Sequence, residues 1–166
     1  MQRSTIKLVI FDLDGVLVEA KNIHFKALNK ALGKKYAISW DEHLSIYDGL
    51  KTNQKLGMLT QNKGLPTELH FQIWEDKQKY TLEELRSLKP NQTLQSLMSA
   101  LSEDGYKIAV SSNSIRKTVL TVLSKLGIME FMDLVISNED VKNSKPHPEM
   151  YWKAISIGIP CLSLSQ

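Results

Sequence analysis

Residues 8–17 read LVIFDLDGVL: apolar Leu8, Val9, Ile10 and Phe11, then Asp12, Leu13, Asp14 and Gly15. A short apolar run closed by a turn signal predicts a buried strand, and β-branched Val9 and Ile10 favour strand over helix. Both carboxylates then lie at the strand's C-terminal end, which in an open parallel α/β sheet is where ligands bind. A solvated Asp-Gly turn is the alternative reading of the same stretch.

Outward from this strand, KNIHFKALNKALG (21–33) places Ile23, Ala27, Leu28, Ala31 and Leu32 at helical spacing, with Gly33 closing the helix. Residues 40–85 continue as helical segments broken at YDGLKTN and NKGLPTE, with Thr67 as a helix start and no strand. Strand character returns at YKIAVSSN (106–113), after the helical NQTLQSLMSALSEDG, and again at MDLVIS (132–137), after the helical IRKTVLTVLSKLG. Strand, long helical excursion, strand, helix, strand is a parallel α/β layout with an insertion. It predicts a sheet domain from residues 1–17 and 87–166, a helical cap from 18–86, and a hinge at RSLKPNQ (86–92).

With 166 residues, 42% apolar and 23% charged, the chain suits one sizeable core with a small inserted domain. The 21 basic and 18 acidic residues are interspersed, which gives nucleic-acid binding no support. A single cysteine, Cys161, forms no intramolecular disulfide, and no Cys/His cluster has zinc spacing; a reducing cytoplasm is the expectation. The N-terminal apolar run is too short for a signal peptide, and no stretch approaches the roughly 18 apolar residues of a membrane span. Trp40, Trp74 and Trp152, and Met129 and Met132 beside Phe131, read as packing residues.

Each strand ends in reactive groups. The second runs into SSNS (111–114), whose hydroxyls, N–H groups and following helix make a phosphate seat. The third is followed by SNEDVKNSKPHPEMY (137–151), which offers Lys145. A carboxylate pair beside a phosphate seat is the equipment for metal-assisted phosphoryl transfer, one acid attacking phosphorus and the other handling protons.

FDLDGVL, VSSN and SKPHPEMY occur in the order of the first three motifs of the haloacid dehalogenase superfamily, and the chain resembles its phosphatases from residue 6 to residue 155. The branch it resembles, that of beta-phosphoglucomutase and phosphoglycolate phosphatase, carries a helical cap inserted after the first motif. The resemblance implies a Rossmann-like parallel core, a small phosphorylated metabolite as substrate and Mg2+ as cofactor. By the same resemblance Asp12 is nucleophile and magnesium ligand, and Asp14 is general acid and base with its carbonyl as a second ligand. Ser112 and the backbone of Asn113 hold the phosphoryl group, and Lys145 offsets the charge. Dehalogenases lack the second aspartate, so Asp14 favours a phosphatase or phosphomutase. In the cap, Lys51 and Thr52 fall where the branch places substrate contacts and His24 falls near the hinge; a solvated histidine and an ordinary loop lysine are the plain alternatives. A sugar phosphomutase, or a non-catalytic remnant binding phosphate or a partner, are the rival functions.

The family's fourth motif, an apolar strand ending in acids that complete the metal site, is not met: no Asp or Glu follows Glu149, and IPCLSLSQ ends in Ser165 and Gln166. The expectation is a C-terminally truncated core with weak magnesium binding, low activity, and the first strand left as an edge where Val9 and Phe11 lose partners. Truncation, degeneration and completion by a partner subunit all account for it. Glu139 and Asp140 are the acids that could fill the metal role instead.

Overall fold

The computed structural model describes residues 6–158. Cys161 and the IPCLSLSQ segment lie outside them. The chain forms two compact units, one reaching to Val18 and resuming at Leu88, the other spanning Glu19–Ser87.

In the first unit, β1 (Leu8–Asp12), β2 (Lys107–Ser111) and β3 (Leu134–Ile136) form a parallel sheet in the order β1-β2-β3. The register sets Asp12 opposite Ser111 and Ser111 opposite Ile136, so all three strands finish at one edge. Ile108, Ala109 and Val110 of the central strand are fully buried, as a strand covered on both faces requires. Among the described residues β1 pairs with β2 alone and is half-buried along its length, an edge strand.

Among the described residues, three helices complete this unit. Helix α5 (Gln92–Glu103) starts at Asn91, whose side chain accepts from Leu94 N–H. Helix α6 (Arg116–Leu126) joins β2 to β3 and ends at Gly127, whose left-handed backbone (φ 72°) directs its N–H to Leu123 and Ser124 carbonyls. Helix α7 (Glu149–Gly158) packs Met150 and Ala154 against Leu8, Ile10, Leu134 and Ile136.

The second unit holds α1 (Lys21–Tyr36), interrupted at Gly33 by non-helical angles of φ 67° and ψ 176°. A capping box between Ser39 and Glu42 opens the short α2 (Trp40–Glu42), which runs into a π-helical turn, His43–Tyr47. Then follow α3 (Thr52–Lys63), a 3₁₀ turn at Thr67–Leu69 and α4 (His70–Leu85). Leu28, Leu32, Leu56, Leu59, Leu65 and Ile73 anchor one apolar cluster within this unit. Asn29 clamps the backbone of Ile38 from both sides, accepting from its N–H at 2.8 Å and donating to its C=O at 2.9 Å.

The tryptophan expectation holds for Trp74, which packs on the cluster. Trp40 packs too, edge-on to Phe25 and stacked on the buried His43 with 39% of its surface exposed; Trp152 is corrected, lying 60% exposed on α7. Met129 is corrected too: it sits at 39% exposure in a 3₁₀ turn (Met129–Phe131), because Ile128 just before it is the residue that fills the core. Among the described residues no helix is long and apolar enough to cross a membrane.

Candidate active site

The strand ends bring Asp12, Asp14, Ser112, Asn113 and Lys145 onto one edge of the sheet unit. Beyond Asp12 the chain reverses at once. Gly15, at φ 82°, donates to Val18 C=O at 2.8 Å, while Leu17 and Val18 donate to Leu13 C=O, each at 3.0 Å. A positive φ there suits glycine, and Leu13, between the two aspartates in sequence, is completely buried.

The Asp12 carboxylate is held through one oxygen. Its Oδ1 accepts from Leu13 N–H at 2.8 Å and from Lys145 Nζ at 2.7 Å; Oδ2 is engaged by none of the described residues. The Lys145 ammonium also donates to Ser111 C=O at 2.7 Å, and its side chain is 15% exposed against 43% for Asp12. A cation thus lies locked below a half-open anion. Ser114, which the sequence reading quoted but did not single out, links the remaining groups. Its Oγ donates to Asp14 Oδ2 at 3.2 Å, and its N–H donates to the buried Ser112 Oγ at 3.0 Å.

The loop that carries Lys145 is laced to the loop after β2. Asn113 Oδ1 accepts from Lys145 N–H at 3.0 Å, and Asn113 Nδ2 donates to Lys145 C=O at 3.1 Å. Asn138 Nδ2 in turn donates to Asn113 C=O at 2.9 Å. Further along, the Glu149 carboxylate accepts from the N–H groups of Lys142 and Asn143, which hold it below the usual carboxylate range.

Glu139 and Asp140 are spoken for. Glu139 Oε2 accepts from Arg116 N–H at 2.6 Å, and Asp140 accepts from Ser137 N–H, Ser137 Oγ and Arg116 Nη2. Partial burial alone raises the Asp140 carboxyl, but the bonds from Ser137 and Arg116 outweigh it and hold the group at about 2. Both acids therefore fasten the start of α6 to the loop after β3. The Ser137-x-x-Asp140 spacing, a capping-box pattern, is the signal that reveals this role.

Among the described residues no three His, Cys, Asp or Glu side chains gather as a metal cluster. The oxygens that the resemblance assigns to a metal are those of the Asp12 carboxylate and the Asp14 carbonyl. A hard, oxygen-only donor set of this size fits Mg2+, which keeps several waters, and does not fit zinc.

His24, Lys51 and Thr52 belong to the other unit. His24 is not a solvated histidine: it is half-buried on α1 with Lys77 Nζ 3.4 Å from its Nδ1. Lys51 precedes α3, its N–H donating to Gln54 Oε1 at 3.1 Å, and Thr52 is the first residue of that helix.

A family model described as haloacid dehalogenase-like hydrolase matches residues 9–157. The chain is 25% identical to a pyrophosphatase, PpaX, of Bacillus pumilus, covering 94% of this chain and 70% of that protein. It is 28% identical to a phosphorylated carbohydrates phosphatase of Thermotoga maritima, over 88% and 68% of the two chains. The crystal structure of a beta-phosphoglucomutase from Clostridium difficile superposes with a TM-score of 0.78 at 27% identity, over 94% of this chain and 72% of that one.

Proposed function

The chain belongs to the haloacid dehalogenase-like hydrolase family and is a phosphatase-type enzyme of small phosphorylated molecules; we propose that it works through an aspartyl-phosphate formed on Asp12. The observation that carries this reading is the unequal treatment of the Asp12 oxygens. Oδ1 is fixed by Leu13 N–H and Lys145 Nζ, and Oδ2 is left to react.

In the first step Asp12 Oδ2 bonds to phosphorus and the bond from phosphorus to the leaving oxygen breaks, Asp14 supplying that oxygen with a proton. In the second, Asp14 takes a proton from water, whose oxygen bonds to phosphorus and releases phosphate and the Asp12 carboxylate. Two anions meet in the first approach, so the Lys145 ammonium, 2.7 Å from Asp12, lowers their repulsion. Ser112 and the backbone of Asn113 receive the phosphoryl oxygens at the end of β2. Magnesium held by the Asp12 carboxylate and the Asp14 carbonyl would add positive charge at the same oxygens.

Asp12→Asn tests the reading. An amide does not attack phosphorus, so hydrolysis of an aryl phosphate with magnesium should fall by about 10³-fold or more with the circular dichroism unchanged. Wild-type turnover by the variant would overturn it. The 27% identity to a beta-phosphoglucomutase favours a phosphomutase as the second reading. Labelled oxygen from water appears in released phosphate under the first; phosphoryl transfer within a sugar phosphate without that label means the second.

A further inference from the structure

We propose that Asn113 is a positioning residue whose side-chain amide sets the place of Lys145, and through it the ammonium on Asp12. The inference rests on the catalytic reading of Asp12 and Lys145 and assigns the Asn113 side chain a task distinct from that of its backbone. Its amide meets the two backbone groups of a single residue 32 positions away, taking the N–H of Lys145 and giving to its C=O. That pairing needs an acceptor and a donor side by side, which asparagine has; aspartate lacks the donor and leucine lacks both.

The loop has reason to be held at this residue. Pro146 follows Lys145 and offers no N–H, and the Ser144 C=O already accepts from His147 N–H at 3.1 Å, so Lys145 is where this stretch presents a donor and an acceptor together. Asn113 is itself fixed, through Asn138 Nδ2 on its C=O at 2.9 Å and through the end of β2. From the anchored backbone the Lys145 side chain reaches two acceptors on two strands, Asp12 Oδ1 of β1 and Ser111 C=O of β2, both at 2.7 Å. Two short bonds from one ammonium tolerate little drift of its Cα. Loss of the amide would let the loop shift and move the ammonium off Asp12.

A purely structural clamp is the competing account, and the chain contains a control for it. Asn29 makes the same two bonds to Ile38 in the other unit. Three measurements decide. Exchange of the Lys145 amide hydrogen in Asn113→Ala should be about tenfold faster than in the wild type, whatever the substrate. Hydrolysis of an aryl phosphate should lose about 10- to 100-fold in kcat with little change in KM in Asn113→Ala and in the isosteric Asn113→Asp, and none in Asn29→Ala. In the Lys145→Ala background, adding Asn113→Ala should cost almost nothing further, since the lysine through which it acts is gone.

Unaltered exchange at Lys145, wild-type kcat in Asn113→Asp, equal kcat loss in Asn29→Ala, or multiplying losses in the double variant would each overturn the proposal. A wild-type protein inert toward phosphate esters would instead refute the catalytic reading, and the exchange measurement would still decide whether Asn113 holds Lys145.

Discussion

Replacing Lys145 by alanine removes the one ammonium shown in contact with the Asp12 carboxylate. In the resting site the loss is moderate: a charge-assisted hydrogen bond contributes about 1.5–3 kcal/mol, and Asp12, 43% exposed, regains water. The cost grows when a phosphate ester arrives, because a second anion then faces Asp12 Oδ2 and charge builds on the transferring oxygens. Loss of one preorganised partner at such a point costs about 2.7–4 kcal/mol, or 10²- to 10³-fold in kcat. Ser111 C=O also loses its donor at 2.7 Å, which costs the fold about 1–3 kcal/mol. The assay is therefore hydrolysis of an aryl phosphate with magnesium, run well below the melting temperature with circular dichroism as the check on folding. Lys145→Arg should recover little, since a planar guanidinium does not replace a point charge set between two acceptors. Turnover of Lys145→Ala within threefold of the wild type would refute the charge argument.

Gly127→Ala should cost about 2 kcal/mol in chemical denaturation, because the left-handed backbone penalises a side chain and the new Cβ displaces Gln95 from its bond to Leu126 C=O. The Asp140 carboxyl, held at about 2 against 3.8 unperturbed, contributes stability that is complete above about pH 4 and lost as pH falls through 2. The difference in unfolding free energy between wild type and Asp140→Asn should therefore shrink by about 2 kcal/mol across that window. His43 is buried without exposure between Phe25 and Trp40, and burial, then the charge of Lys55, lower its pKa from 6.5. Its neutral form favours the fold, so stability is complete above about pH 6.5 and lost as pH falls; His43→Phe should flatten that slope in thermal melts between pH 7 and 5.

The strand at LVIFDLDG, the helices either side of β2 and the motifs at the strand ends were legible because each is written in a few neighbouring residues. Apolar runs name strands, 3.6-residue periods name helices, Asp12 and Ser112 each follow an apolar run, and Lys145 lies in the polar loop after the third. Partners far apart in the chain left no such trace. Nothing local to Asn113 announces that its amide meets Lys145, nor that Ser114 meets Asp14 across 100 positions. Glu139 or Asp140 could stand in for the missing metal acid on residue type alone; only the fold shows that they bond to Arg116 and Ser137. Trp152 shows a different limit: composition favours burial of a tryptophan, but only the packing of α7 decides which of its faces is covered, and it covers Met150 and Ala154.

Asp12 and Lys145, in contact at 2.7 Å, stand 133 residues apart along the chain. During synthesis β1 therefore emerges long before Lys145, and the contact cannot form until the ribosome has delivered both ends of that span. The cost of closing so large a loop grows only with the logarithm of its length, about 0.6 kcal/mol for each doubling. The Glu19–Ser87 unit occupies about half of the span and gathers an apolar cluster from its own residues alone. If it condenses first, the span from Asp12 to Lys145 still to be closed is roughly halved, which recovers about 0.6 kcal/mol of chain entropy. An insertion that lengthens the path between Asp12 and Lys145 on paper thus shortens it for a chain whose inserted helices condense early.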